Sequence, residues 1–140
     1  MYDFKKNGPF VKKYYDSLEE GKIMSLRCTA CGNHQWPPMP ICQKCGRCDT
    51  EWVELSGDAV IDEVAVVLGS FLEYNEKFKE YKGYRSCCGH LKEGPEFNNI
   101  LFGLPKELSY DDVNKMLPLE AKAEIIQLEG CKTVAFRVKK

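Results

Sequence analysis

Five of the chain's eight cysteines fall in one short stretch, "RCTACGNHQWPPMPICQKCGRC", residues 27–48. Cys28-x-x-Cys31 and Cys42-x-x-Cys45 are separated by ten residues. Paired thiols at this spacing can form a disulfide staple, a redox couple or a metal clamp. Two C-x-x-C turns brought together supply the four soft thiolates of a tetrahedral zinc site. Each pair runs on into glycine, as "CTACG" and "CQKCG". A side chain there would crowd the metal, and the backbone N–H groups must turn inward to bond the sulfurs. The spacing therefore predicts a zinc ribbon holding one structural Zn²⁺ per chain, with Cys28, Cys31, Cys42 and Cys45 as ligands. A complete thiolate set leaves no open coordination position for catalysis. Rubredoxin-like iron uses the same turns and is the alternative metal. Cys45-x-x-Cys48 is also a legal pair, but the glycine directly after Cys45 favours Cys42 with Cys45 and leaves Cys48 a spare thiol.

Between the knuckles lies "GNHQWPPMPI". Pro37, Pro38 and Pro40 predict a stiff, extended arm. Trp36 and Met39 on that arm either pack against the chain's own core or present apolar surface to another protein. Arg27, Lys44 and Arg47 flank the knuckles, where cations would suit phosphate groups; solvated surface charge is the simpler reading of each. His34 lies close to the thiols but is expected outside a full Cys₄ set. The vicinal Cys87 and Cys88 sit in a predicted strand, so their side chains should face opposite ways. His90 is a lone strand histidine with a structural role. No nucleophile elbow, phosphate loop, dinucleotide glycine pattern or H-E-x-x-H occurs in the sequence, so no catalytic residue is assigned.

These groups need elements to position them. Residues 1–24 predict a short helix opening at Gly8-Pro9, with Phe10, Tyr14 and Leu18 on one face and Gly21 just past its end. That stripe either covers the chain's own core or docks on a partner. Residues 25–54 form the ribbon, its flanks "KIMSLRC" and "DTEWVELSG" reading as short strands. Residues 55–140 are mainly β. "AVIDEVAVVLG" is rich in β-branched residues. "CCGHLKEGPEFNNILFG" reads as two strands joined at Glu-Gly-Pro, and "AKAEIIQLEGCKTVAFRV" as a hairpin with a Glu-Gly turn. Val134, Phe136 and Val138 should share one face of that hairpin. "SYDDVNKML" has Ser109 and Asp112 in capping-box spacing, with Val113, Met116 and Leu117 as the buried side of a short helix. Residues 70–86, charged and aromatic, fit a long loop with a helical turn. Five strands and one helix suggest a small barrel of the oligonucleotide/oligosaccharide-binding (OB) type, another small barrel or a sandwich being the alternatives. The fold class is thus mainly β: an N-terminal helix, a rubredoxin-like zinc ribbon, and a small OB-fold barrel carrying one short helix.

Charge narrows the partners. The formal net charge is −1, so no global positive field recruits nucleic acid or an anionic membrane. Residues 1–50 are formally +3 and residues 51–140 formally −4, which sets the basic excess beside the cysteines. The longest uncharged apolar stretch, Val64 to Leu72, falls far short of the roughly 18–20 residues of a membrane span. "MYDFKKNGPF" lacks the apolar core of a secretory signal, so a reducing, cytoplasmic location is expected, where cysteines serve as thiols or ligands.

The order of parts resembles a known family. "LEEGKIMSLRCTACGNHQWPPMPICQKCG" followed by "EWVELSGDAVIDEVAVV", with the later "LKEGPEFNNILFG", is similar to the zinc-ribbon/OB-fold proteins that accompany thiolases and related acyl-CoA condensing enzymes. Residues 70–86 depart from the proline-rich connection usual there, and Cys48 and Cys87-Cys88 are additions. The resemblance implies a non-catalytic subunit in a hetero-oligomer with a thiolase-like catalytic chain, helping to hold or cover a CoA-thioester shared with that chain. Arg27, Trp36, Met39, Lys44 and Arg47 are then the candidates for touching CoA or the partner. Neither a membrane nor nucleic acid is the expected partner. A zinc-ribbon/OB-fold nucleic-acid-binding module is the rival function; it would want clustered cations and exposed aromatics on the barrel strands, whereas the barrel half is acidic.

Overall fold

The computed structural model describes residues 8–65, 85–105, 107–128 and 130–139. The loop expected over residues 70–86 lies outside these except at its end, where Arg85 and Ser86 begin a strand. The chain divides into two compact units, one of residues 1–56 with 93–95, the other of residues 57–92 with 96–140.

In the first unit, helix α1 spans Gly8–Glu19. It stops where Gly21 takes a left-handed φ of 82°. The Lys22 and Gly21 N–H groups donate to the Ser17 and Leu18 carbonyls at 2.9 and 3.0 Å, which satisfies the last turn. The expected stripe faces inward: Leu18 is buried, Phe10 lies 5.3 Å from the Trp52 ring, and the Tyr14 hydroxyl accepts from Trp36 Nε1 at 3.1 Å. At these residues the helix covers its own core. Burial pushes the Tyr14 phenol up to about 12. Three strands form the ribbon sheet: β1 (Met24–Cys28), β2 (His34–Gln35) and β3 (Thr50–Glu54), in the order β2-β1-β3. Both pairings are antiparallel, and Leu26 lies opposite both Gln35 and Trp52.

The second unit is a closed barrel, β4-β5-β6-β8-β7 and back to β4. Its strands are β4 (Asp58–Val64), β5 (Arg85–Leu91), β6 (Glu96–Phe102), β7 (Leu119–Leu128) and β8 (Cys131–Val138). All pairings are antiparallel except β6 with β8, the contact that closes the OB-type barrel. Ile61, Leu91, Leu101, Ala121 and Phe136 are buried in its interior, and Phe97 stacks on Phe136 with centroids 4.0 Å apart. Between Ile61 and Glu63 strand β4 bulges, shifting the register across from Gly89 and Cys88. A Cβ on Gly89 would stand 2.3 Å from the Val60 carbonyl oxygen, so only glycine fits.

Helix α2, Tyr110–Met116, links β6 to β7 and opens on the expected capping box. The Ser109 hydroxyl accepts from the Asp112 N–H at 3.1 Å, while the Asp112 carboxylate accepts from the Ser109 N–H at 3.3 Å. Val113 is fully buried, but Met116 is 44% exposed, against expectation. The helix is too short to bury it: Leu117 already has extended backbone, so the last turn has no successor to continue its buried face. Strand β8 also departs from a single buried face. Val134 and Phe136 are buried on one side, and Ala135 is buried on the other with Phe102 and Ile126.

Candidate metal centre

The two C-x-x-C-G turns have the same geometry. Gly32 and Gly46 sit at φ of 80° and 79°. Their N–H groups donate to the Cys28 and Cys42 carbonyls at 2.9 and 2.8 Å. The Cys28 and Cys42 N–H groups donate in turn to the Asn33 and Arg47 carbonyls, both at 2.8 Å. This repeated turn is what identifies Cys42 with Cys45, and not Cys45 with Cys48, as the second knuckle.

The turns bring the four sulfurs within 4.8 Å of one another. The Cys28–Cys45 and Cys31–Cys42 pairs are both 3.6 Å apart. Zinc–sulfur bonds of ~2.3 Å in a tetrahedron require sulfurs ~3.8 Å apart, so the cage fits the ion. Backbone N–H groups of Cys31 and Ala30 hold the Cys28 thiol below its ordinary value. Those of Cys45 and Lys44 bring Cys42 down to about 6. The Arg47 N–H pulls on Cys45 in the same sense, yet desolvation and the neighbouring sulfurs drive that thiol up to about 11. Four thiolates this close repel unless a cation sits among them; a bound divalent ion would ionise all four. Asn33 Nδ2 stands 3.8 Å from Cys42 Sγ and supports the cage from outside. Cys28 and Cys42 are buried, Cys31 and Cys45 exposed. Cys48 is exposed and outside the cluster; His34 is outside it too, with a buried Nδ1 that has no hydrogen-bond partner among the described residues.

The proline arm is not extended as the sequence suggested. It closes into a loop around the buried Gln35 side chain. Gln35 Nε2 donates to the Met39 and Ile41 carbonyls at 3.0 and 2.8 Å, and its Oε1 accepts from the Gln43 N–H at 2.6 Å. One amide with two donors and an acceptor outweighs the extended preference of the prolines. Sequence reasoning missed Gln35; its only signal is an amide set in an apolar, proline-rich stretch. Trp36 is buried, whereas Met39 is 43% exposed and Ile41, also missed, 52%. Arg27 Nη1 is paired with Glu51 at 2.8 Å. Lys44 and Arg47 are exposed and make no ion pair among the described residues.

The remaining candidates lie in the barrel unit and do not gather into a second cluster of metal ligands among the described residues. Cys87 and Cys88 face opposite ways, as expected. Cys87 is buried and its thiol is pushed up to about 12 by desolvation, while Cys88 Sγ donates to Asn98 Oδ1 at 2.8 Å. His90 Nδ1 lies 2.8 Å from the Asp62 carboxylate on the surface.

Residues 16–51 match the family model described as ChsH2, rubredoxin-like zinc ribbon domain. With the thiol geometry, this makes the cluster a structural zinc site. The fold is shared with a solved structure titled Ltp2-ChsH2(DUF35) aldolase, at 18% identity and a TM-score of 0.69, over 95% of this chain and 97% of that one. It is also shared with a protein of unknown function from the DUF35 family of Sulfolobus solfataricus, at 18% identity and a TM-score of 0.59, over 97% of this chain and 90% of that one. No curated protein matches the chain.

Proposed function

We propose that the chain is a non-catalytic, zinc-stiffened subunit of a thiolase-type acyl-CoA C-acyltransferase, docking on a larger catalytic chain and helping to hold or cover its CoA-thioester. The observation that carries this is the loop at the metal site. Met39 and Ile41 stand in solvent on a backbone fixed by the Gln35 amide at one side and the Cys42 thiolate at the other. Exposed apolar side chains on a rigid support bind with little loss of conformational freedom, which suits them as docking anchors. Trp36 works from beneath, tied to Tyr14. With Arg27 engaged by Glu51, Lys44 and Arg47, which make no ion pair among the described residues, are cations that can meet CoA phosphates or an acidic rim on the partner.

The ribbon match and the likeness to a chain solved in an aldolase named for Ltp2 and ChsH2 support an accessory role beside a carbon–carbon bond enzyme. The finer reading is the small subunit of a benzoylsuccinyl-CoA thiolase of anaerobic toluene breakdown, in the cytoplasm. It rests on the resemblance of "FLEYNEKFKEYKGYRSCCGHLKEGPEFN", residues 71–98, to that subunit. Affinity purification of the tagged chain from its own cells tests the proposal. The expected result is stoichiometric recovery of a larger chain with acyl-CoA condensing activity. Recovery of the chain alone, or thioester turnover by it without a companion, would contradict it.

A further inference from the structure

The barrel unit carries a groove of about 880 Å³, walled by the end of β4, the start of β5, the middle of β6 and the first turns of α2. Val64 and Ile100 supply apolar wall. Around them stand groups with hydrogen-bonding capacity to spare. The Ser86 hydroxyl, the Tyr110 phenol and the Asn114 amide are exposed and make no side-chain hydrogen bond among the described residues. Asn98 uses its oxygen to accept from Cys88, which leaves its NH₂ free to donate. Glu63, on the same wall, is exposed and forms no ion pair among the described residues. None of the described lining residues is Lys, Arg or His.

We infer that this groove receives an extended, Lys- or Arg-bearing polypeptide segment of the catalytic partner. The inference rests on the subunit reading above and adds to it a second contact, made by the barrel unit. The Glu63 carboxylate on the groove wall would repel a nucleic-acid strand or the phosphates of CoA, which need positive charge for neutralisation. The Asn114 amide offers a donor and an acceptor, and Asn98 a further donor, to the alternating N–H and C=O groups of an extended backbone. β6 pairs with β8 only at Leu101 and Phe102, so the β6 edge over Asn98–Ile100 lines the groove and can add its backbone groups to those of the side chains. Glu63 would take the cationic side chain, and the 47% exposed Tyr110 ring offers it a π face. Asp111 and Asp112, next to Tyr110 in the first turn of α2, add to the local negative field.

The test uses the purified two-subunit complex. A p-benzoylphenylalanine photo-crosslinker replaces Asn114, and crosslinked peptides are read by mass spectrometry. In parallel, Glu63→Lys and Glu63→Gln are compared with the unaltered chain for partner affinity, with the barrel's thermal unfolding as the check on folding. The expected crosslink is to a Lys- or Arg-containing stretch of the catalytic chain. Glu63→Lys should weaken association about tenfold at low ionic strength and much less at high salt, with Glu63→Gln in between. Unchanged affinity for both variants, with crosslinks confined to this chain, would overturn the groove assignment while leaving the subunit reading intact. Failure to recover any catalytic chain would overturn both.

Discussion

At Gly32 and Gly46 the backbone turns through φ of about +80°, and each turn aims two thiols at one point. Cys42→Ser removes a ligand the other three sulfurs cannot replace, so zinc content should fall to near zero and the ribbon unfold. Cys48→Ser should leave one zinc per chain and an unchanged melting temperature; metal analysis of the two variants side by side checks both. Gly89→Ala drives a methyl into the Val60 carbonyl and against Phe97. It should destabilise the barrel by about 2 kcal/mol or more in denaturant titration, with the zinc retained. The ligands were legible because metal chemistry fixes residue type, spacing and the following glycine together. Gln35 was not. Its work lies in three hydrogen bonds to loop backbone, and nothing in a sequence marks where a loop will bring its carbonyls.

At the scale of elements, local rules held wherever the element was long enough to show them. The turn after α1, the box before α2 and the Glu-Gly-Pro hairpin stand where their residues placed them. Ser109→Ala deletes one half of that box and should cost about 1 kcal/mol, read from the shift of the barrel's unfolding midpoint. The two-residue β2 gave no periodicity to detect, and Met116 was misjudged because the helix ends too soon to bury it. The proline loop is the instructive case. Pro37, Pro38 and Pro40 stiffen the chain, but the Gln35 amide sets its direction. Gln35→Ala takes the side-chain partner from the Met39 and Ile41 carbonyls and the Gln43 N–H. Amide hydrogen exchange over residues 36–43 should accelerate at least tenfold while the barrel's protection stays as it was.

Across the whole molecule, the barrel's ends are held by charge as well as by packing. Asp58, at the start of β4, lies 2.9 Å from Lys139 and 3.3 Å from Lys122, and these ammonium groups hold its carboxyl below the ordinary range. A depressed carboxyl contributes stability that is complete above its unfolded value of roughly 3.9 and is lost as pH falls through its lower folded value. Asp58→Asn should therefore flatten the acid side of the stability–pH profile and lower the plateau above it, measured by thermal melts from neutral pH into acid. The mainly β architecture and the barrel were readable from strand count and turn residues. The proposed partner was not readable from composition or periodicity, because an accessory role as proposed would leave no catalytic motif; that part of the account came from resemblance.

The central claim joins a zinc-held docking loop to catalysis done by another chain. Native mass spectrometry of the complex recovered from source cells tests it most directly. The account predicts this chain with one zinc ion, bound to a larger catalytic chain, and loss of that association when Met39 and Ile41 are both changed to serine with the zinc still in place. A folded, metal-free chain without a companion, or a complex indifferent to the double change, would contradict it.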